Sequence, residues 1–150
     1  MGWQSEDYYK ASLERIQEAY FLHKNGYNVV SMYISGLAVE CMLRAFRLLK
    51  RRTFDERHDL WLLWKSTDLA NVHSELYHDR LHSAMGVVGI LWRNDYRFRS
   101  KHALQSFLKK IGRVRGIKGD LLKYNSLKLY NAAAEVIRIG VNRWHRLNKK

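Results

Sequence analysis

Not one of the 150 residues is proline. A β-rich domain of this size normally needs proline for turn and edge punctuation, so its absence favours helices. The spacing of apolar residues agrees. From Ser5 onward, Glu6 and Asp7 place carboxylates in a first helical turn, Leu13, Ile16, Tyr20 and His23 recur at helical steps, and Asn25-Gly26 supplies a stop. A second helix over about residues 27–51 aligns Val30, Tyr33, Leu37, Cys41, Ala45 and Leu48 at steps of three and four. It ends in Lys50-Arg51-Arg52, cations that suit a helix C-terminus as well as they would suit a polyanion. Residues 53–57 read as a connection to a one- or two-turn helix at His58–Trp64. Asn71 is placed to cap a third long helix with Tyr77, Leu81, Ala84, Val88 and Leu91 on one side, ending near Trp92. Gly86 and Gly89 weaken that helix and point to close approach of a neighbour.

Beyond Trp92 the segment 93–99 alternates polar and aromatic residues without a helical stripe and reads as a loop. Ser100 is placed to cap a helix through about Ile111, and Gly112, Gly116 and Gly119 make the following basic stretch a poor helix. Asp120 is placed to cap a last helix in which Leu121, Tyr124, Leu127, Tyr130, Ala134, Ile137 and Val141 keep step to about Trp144. The expected fold is all-α: an up-and-down antiparallel four-helix bundle with one or two additional short helices. The length suits one hydrophobic core, so residues 1–150 are read as a single domain.

Charge is the first property that bears on function. The formal net charge is +13, and its whole excess lies in the last 58 residues, where 16 basic groups face Asp95, Asp120 and Glu135. Residues 1–92 are balanced, with 11 of each sign. Such asymmetry within one domain points to RNA or another polyanion as partner, against the plainer readings of a solubility device or an acidic protein partner. Between residues 93 and 118 nine basic groups, Arg93, Arg97, Arg99, Lys101, Lys109, Lys110, Arg113, Arg115 and Lys118, meet one acid. Trp92, Tyr96 and Phe98 interleave with the first arginines, a pattern that can stack and neutralise single-stranded RNA, or simply close the end of a bundle.

Other chemistry has weaker grounds. The single cysteine, Cys41, excludes an intramolecular disulfide, makes a reducing cytoplasm the default location, and reads as a small buried hydrophobe. Glu75, His78 and His82 share a helix face but lack a fourth ligand, so no metal is assigned. The glycines at 112, 116 and 119 do not follow a strand and make no phosphate-cradling loop. No cofactor is implied. The longest stretch free of charged residues, 25–39, is too short to span a bilayer, and acidic residues precede any basic group at the start, unlike a secretion signal. No membrane partner is expected, and Met1 is read as the start of the mature chain.

Four features resemble the HEPN domain family (higher eukaryotes and prokaryotes nucleotide-binding). They are Leu37-Ala38-Val39-Glu40 followed by Arg44, then His58-Asp59-Leu60, then Trp92 with Arg97-Phe98, and lastly Ala132-Ala133-Ala134. The resemblance covers most of the chain and leaves residues 100–119 as a basic insertion. It implies a helical bundle that works as a homodimer, an association that the abundance of Tyr and Trp also favours. Many members of the family are metal-independent ribonucleases whose shared signature is an arginine followed four to six residues later by a histidine. Arg97 and His102 match it. In that role the histidine would move a proton at a 2′-hydroxyl or leaving oxygen while the arginine held phosphate. Arg51 and Arg52 with His58, and Arg138 with His145, satisfy the same spacing. Phe98 stands where active members often carry a polar residue, which resembles noncatalytic relatives that accompany a nucleotidyltransferase in toxin–antitoxin pairs. The alternative for Arg97 is a salt bridge to Glu40 across the bundle.

Overall fold

A computed structural model of the chain describes residues 2–50, 58–67, 69 and 75–148. Among the described residues six α-helices follow in order: α1 (Ser5–Lys24), α2 (Asn28–Lys50), α3 (Leu60–Lys65), α4 (Glu75–Leu91), α5 (Lys101–Lys110) and α6 (Leu121–Leu147). A 3-10 turn, Asn94–Phe98, sits between α4 and α5, where the sequence reads as a loop. The fold is all-α, with no strand among the described residues. Asn71 and the run Arg51-Arg52 lie outside those residues.

Local chemistry sets the helix ends. The backbone N–H of Gln4 donates to the Asp7 carboxylate at 2.8 Å, opening α1. Ser100 accepts from the Ala103 N–H at 3.1 Å and Asp120 from the Lys123 N–H at 3.0 Å, so both expected caps are in place on α5 and α6. At the end of α5, Arg113 N–H bonds to Leu108 C=O at 2.8 Å and Gly112 N–H to Lys109 C=O at 3.1 Å. That closure requires positive φ at Gly112, which has 77°.

The order of packing follows from α2. Every residue from Ala38 to Phe46 is buried, as befits a helix apolar on all sides. α1 lies along α2, α6 packs on α1, α2 and α4, and the 3-10 turn and α3 both rest on α2. By length and composition α2 is the one described helix that could cross a membrane, yet 72% of that stretch is buried inside the protein. α5 drives Leu104 and Leu108 into the same core, so the first half of the basic stretch 100–119 is integral to the bundle.

Two apolar stripes differ in phase from the sequence reading. On α6 Tyr124 and Leu127 are exposed, whereas Leu122, Asn125, Ser126, Leu129 and Ala133 are buried; on α1 Tyr20 is exposed, and Ser12 and Ala19 are buried. Small polar residues occupy these helix crossings because each finds a partner. Ser31 Oγ donates to Ala19 C=O at 2.8 Å, and Asn125 Nδ2 to Leu121 C=O at 2.9 Å. His23 Nδ1 and Ser126 Oγ meet at 2.9 Å between α1 and α6. Burial, reinforced by Lys123 and Lys24, lowers the His23 pKa below its ordinary value, so the neutral ring is favoured there.

Close helix approach occurs at Gly36 and Gly140, not at Gly86 and Gly89. A Cβ on Gly36 would stand 1.9 Å from Trp92 Cδ1, and one on Gly140 would stand 2.7 Å from Met42 Sδ. Nothing lies within 4 Å of a Cβ on Gly86, and the nearest atom to one on Gly89 is Trp61 Cε3 at 3.9 Å. The Trp92 indole also donates to Tyr33 C=O at 3.1 Å, so the ring is seated on α2 by shape and by hydrogen bond. Gly36→Ala is therefore expected to destabilise the protein by about 1–3 kcal/mol through overpacking. Gly86→Ala, in open space within a helix, should stabilise it by about 0.4–1 kcal/mol. Urea denaturation of the two variants checks both signs.

Candidate functional site

The basic segment begins where α4 ends. Arg93 Nη1 donates to Gly89 C=O at 3.1 Å and to Trp92 C=O at 2.9 Å, using one end of its guanidinium to cap the helix. Its guanidinium carbon also lies 5.7 Å from the centre of the Phe107 ring, and that of Arg99 lies 4.8 Å from the same ring. Two cations on one partly buried ring brace the 3-10 turn against α5. Arg99 pairs with Asp95 at 3.1 Å. The one acid of the 93–118 stretch is thereby committed to a single arginine.

Arg93, Arg97, Lys101, Lys109, Lys110, Arg115 and Lys118 are exposed, and Arg99 and Arg113 are half-buried. Apart from Arg99, none of these cations forms an ion pair among the described residues. Arg113 shares a groove of about 270 Å³ with Lys128 and Ile90. Lys128 is thus an addition to the candidate surface. Its distance in sequence from the glycine-rich stretch gave no signal of that proximity.

Tyr96, a candidate for base stacking, is corrected by its surroundings. It is 1% exposed, and its hydroxyl donates to Leu91 C=O, so the ring closes the core and offers no open face. Burial pushes its phenol well above the ordinary range. Trp92 is likewise buried. Phe98 alone of the three aromatics is open, at 78% exposure, with the Arg97 guanidinium 4.6 Å from its ring centre.

Arg97 and His102 are both exposed, one in the 3-10 turn and the other in the first turn of α5. Among the described residues, no hydrogen bond or ion pair joins them or engages either side chain, and the Arg97 guanidinium rests on the Phe98 ring. Arg97 does not bridge to Glu40. That carboxylate, 5% exposed, is held instead by Arg44 Nε at 3.6 Å, one turn along α2, and by His58 Nδ1 at 2.7 Å, from the residues leading into α3. Because a carboxylate only accepts, Nδ1 is the nitrogen that donates in this contact, and Nε2 is left for another partner.

His58 also lines a cleft of about 390 Å³ together with Asp59, Leu60, Trp61, Trp92, Arg93 and Asn94. Nothing in the sequence marks this cleft as a unit, although Glu40, Arg44, His58–Leu60 and Trp92 each stand in one of the motifs that resemble the HEPN family. Asp59 is occupied as the cap of α3, accepting from Leu62 N–H at 3.1 Å. Trp61 stays 39% exposed and tilts against Trp64, with ring centres 5.1 Å apart.

No protein-family model, curated protein or solved structure matches this chain. Among the described residues, no three His, Cys, Asp or Glu side chains gather as metal ligands. His78 and His82 do meet, with ring centres 4.3 Å apart. Burial, with a contribution from Glu40, pushes the Cys41 thiol up to about 11, so it is unreactive near neutral pH.

The ion-pair assignment is open to test by stability. Glu40→Ala takes the buried carboxylate away from both Arg44 and His58 and is expected to cost about 3–5 kcal/mol. Arg97→Ala, at an exposed position, should stay within about 0.5 kcal/mol of the parent. A comparable loss in both variants would restore the Arg97–Glu40 bridge.

Proposed function

We propose that this chain is a HEPN-like binding module for nucleic acid, built as an up-and-down antiparallel bundle of its four long helices. The observation that carries the reading is the run of exposed cations from Arg93 to Lys118, whose one acid, Asp95, is already paired with Arg99. Unpaired cations held on a folded scaffold attract phosphates and release counterions on contact. The gathering of Arg44, His58 and Trp92 along the middle of α2, around Gly36 and Glu40, supports the family resemblance. On that resemblance, the module works as a homodimer in the cytoplasm. It stands beside a nucleotidyltransferase as half of a toxin–antitoxin or defence pair.

Binding to labelled single-stranded RNA tests the reading. Affinity is expected to fall with about the 0.7 power of salt concentration for each neutralised phosphate. Changing Arg113, Arg115 and Lys118 together to Gln should weaken binding and flatten that dependence while leaving the thermal unfolding midpoint unchanged. Unaltered affinity in the triple variant would move the interface elsewhere.

A second reading, a metal-independent endoribonuclease using Arg97 and His102, is favoured by one observation: both side chains are exposed, and among the described residues neither is held in a hydrogen bond or ion pair. On this reading His102→Ala lowers cleavage by about a hundredfold to ten-thousandfold with RNA affinity retained. Chelator has no effect, and the products end in a 2′,3′-cyclic phosphate. RNA left intact by the purified protein, or cut equally well by His102→Ala, removes the enzyme reading from this pair.

A further inference from the structure

We infer that the cleft between α3 and the end of α4 is a subsite for one nucleobase with its phosphate, taken from a bound single strand. The inference rests on the nucleic-acid reading above and adds to it a place where a base is received.

Four features of the cleft lead there. Its volume, about 390 Å³, lies at the small end of the range for ligand pockets, which suits a base and its sugar but not a length of strand. Trp61 lines it and keeps 39% of its surface open, which gives a ring on which a base can stack. Arg93 stands in the lining with Nη1 fixed to the last carbonyls of α4, leaving Nη2 and Nε to meet a phosphate, and Lys65 Nζ lies 5.6 Å from the Trp61 ring centre. His58, with Nδ1 engaged by Glu40, has Nε2 left for a further hydrogen bond, and Asn94, also in the lining, carries an amide with both donor and acceptor, enough to engage a base edge or a 2′-hydroxyl.

The position of the cleft completes the argument. Arg93 belongs both to its wall and to the start of the basic segment, so a strand neutralised along residues 93–118 passes its mouth. Single-stranded RNA is recognised largely by splaying bases out onto aromatic rings and bonding their edges. A wholly apolar ligand would leave Arg93, Asn94 and His58 Nε2 without partners, whereas a base and its phosphate satisfy all three.

The experiment compares a short single-stranded RNA with the same backbone made abasic throughout, using the full chain. The base-bearing strand is expected to bind about fivefold to a hundredfold more tightly, the usual worth of one stacked base. Trp61→Ala should erase that difference while leaving the salt dependence as it is. Gly89→Leu is a second route to the same result: Gly89 lines the cleft, with Trp61 3.9 Å from its Cβ position, so a leucine there fills the space without removing the indole. Adenosine 5′-monophosphate should compete for the base-dependent part of binding, and ribose 5-phosphate should not. A nucleotide that binds as tightly as the strand would mark the free nucleotide as ligand of the same subsite. Equal binding of abasic and base-bearing strands overturns the subsite and leaves the electrostatic reading standing. Binding of neither strand overturns both.

Discussion

An ionised carboxylate in the middle of an apolar helix is costly to bury unless its charge is answered, and Glu40 is answered twice. Arg44 comes from the next turn of α2, a partner that helical geometry supplies locally. His58 comes from 18 residues further along, so the chain must return to α2 after leaving it. That return brings Leu60, Leu63 and Trp64 of α3 into the core. Trp92 docks on Gly36, one turn before Glu40, and ties the end of α4 to the same helix. The cleft is the space left between these two tethers.

Much of the helical layout was legible because helix ends are local events. Ser100, Asp120, Asn25-Gly26 and Gly112 act on their immediate neighbours, and each does in the structure what its residue type favours. Which face of a helix turns inward is not local. Tyr124 and Leu127 are more apolar than Asn125 and Ser126, yet the latter are buried. Asn125 bonds back to the carbonyl of Leu121, and Ser126 meets His23 of another helix. A stripe chosen by hydrophobicity alone therefore turns α6 part of the way round.

The candidate site divides along the same line. The excess of cations could be counted from the sequence, and their exposure follows from the cost of burying unpaired charge. The fate of individual aromatics could not, since Tyr96 and Phe98 are two residues apart and one is buried while the other is open. Nor could the cleft be seen as one place. Its walls come from His58–Trp61 and from Val88–Asn94, and only the folded chain joins them.

The seat of Trp92 on Gly36 bears on how this protein can change over time. With no room for even a methyl group beneath the indole, positions 36 and 92 form a single unit of variation. A larger residue at 36 becomes acceptable only after the ring at 92 has been replaced by something smaller, and a smaller residue at 92 first opens a void that a side chain at 36 can then fill. Among divergent copies of this chain, the two sites should differ together or not at all. Arg93, the next residue along the backbone, would shift with each such exchange, so a change in packing deep against α2 would be felt at the mouth of the cleft.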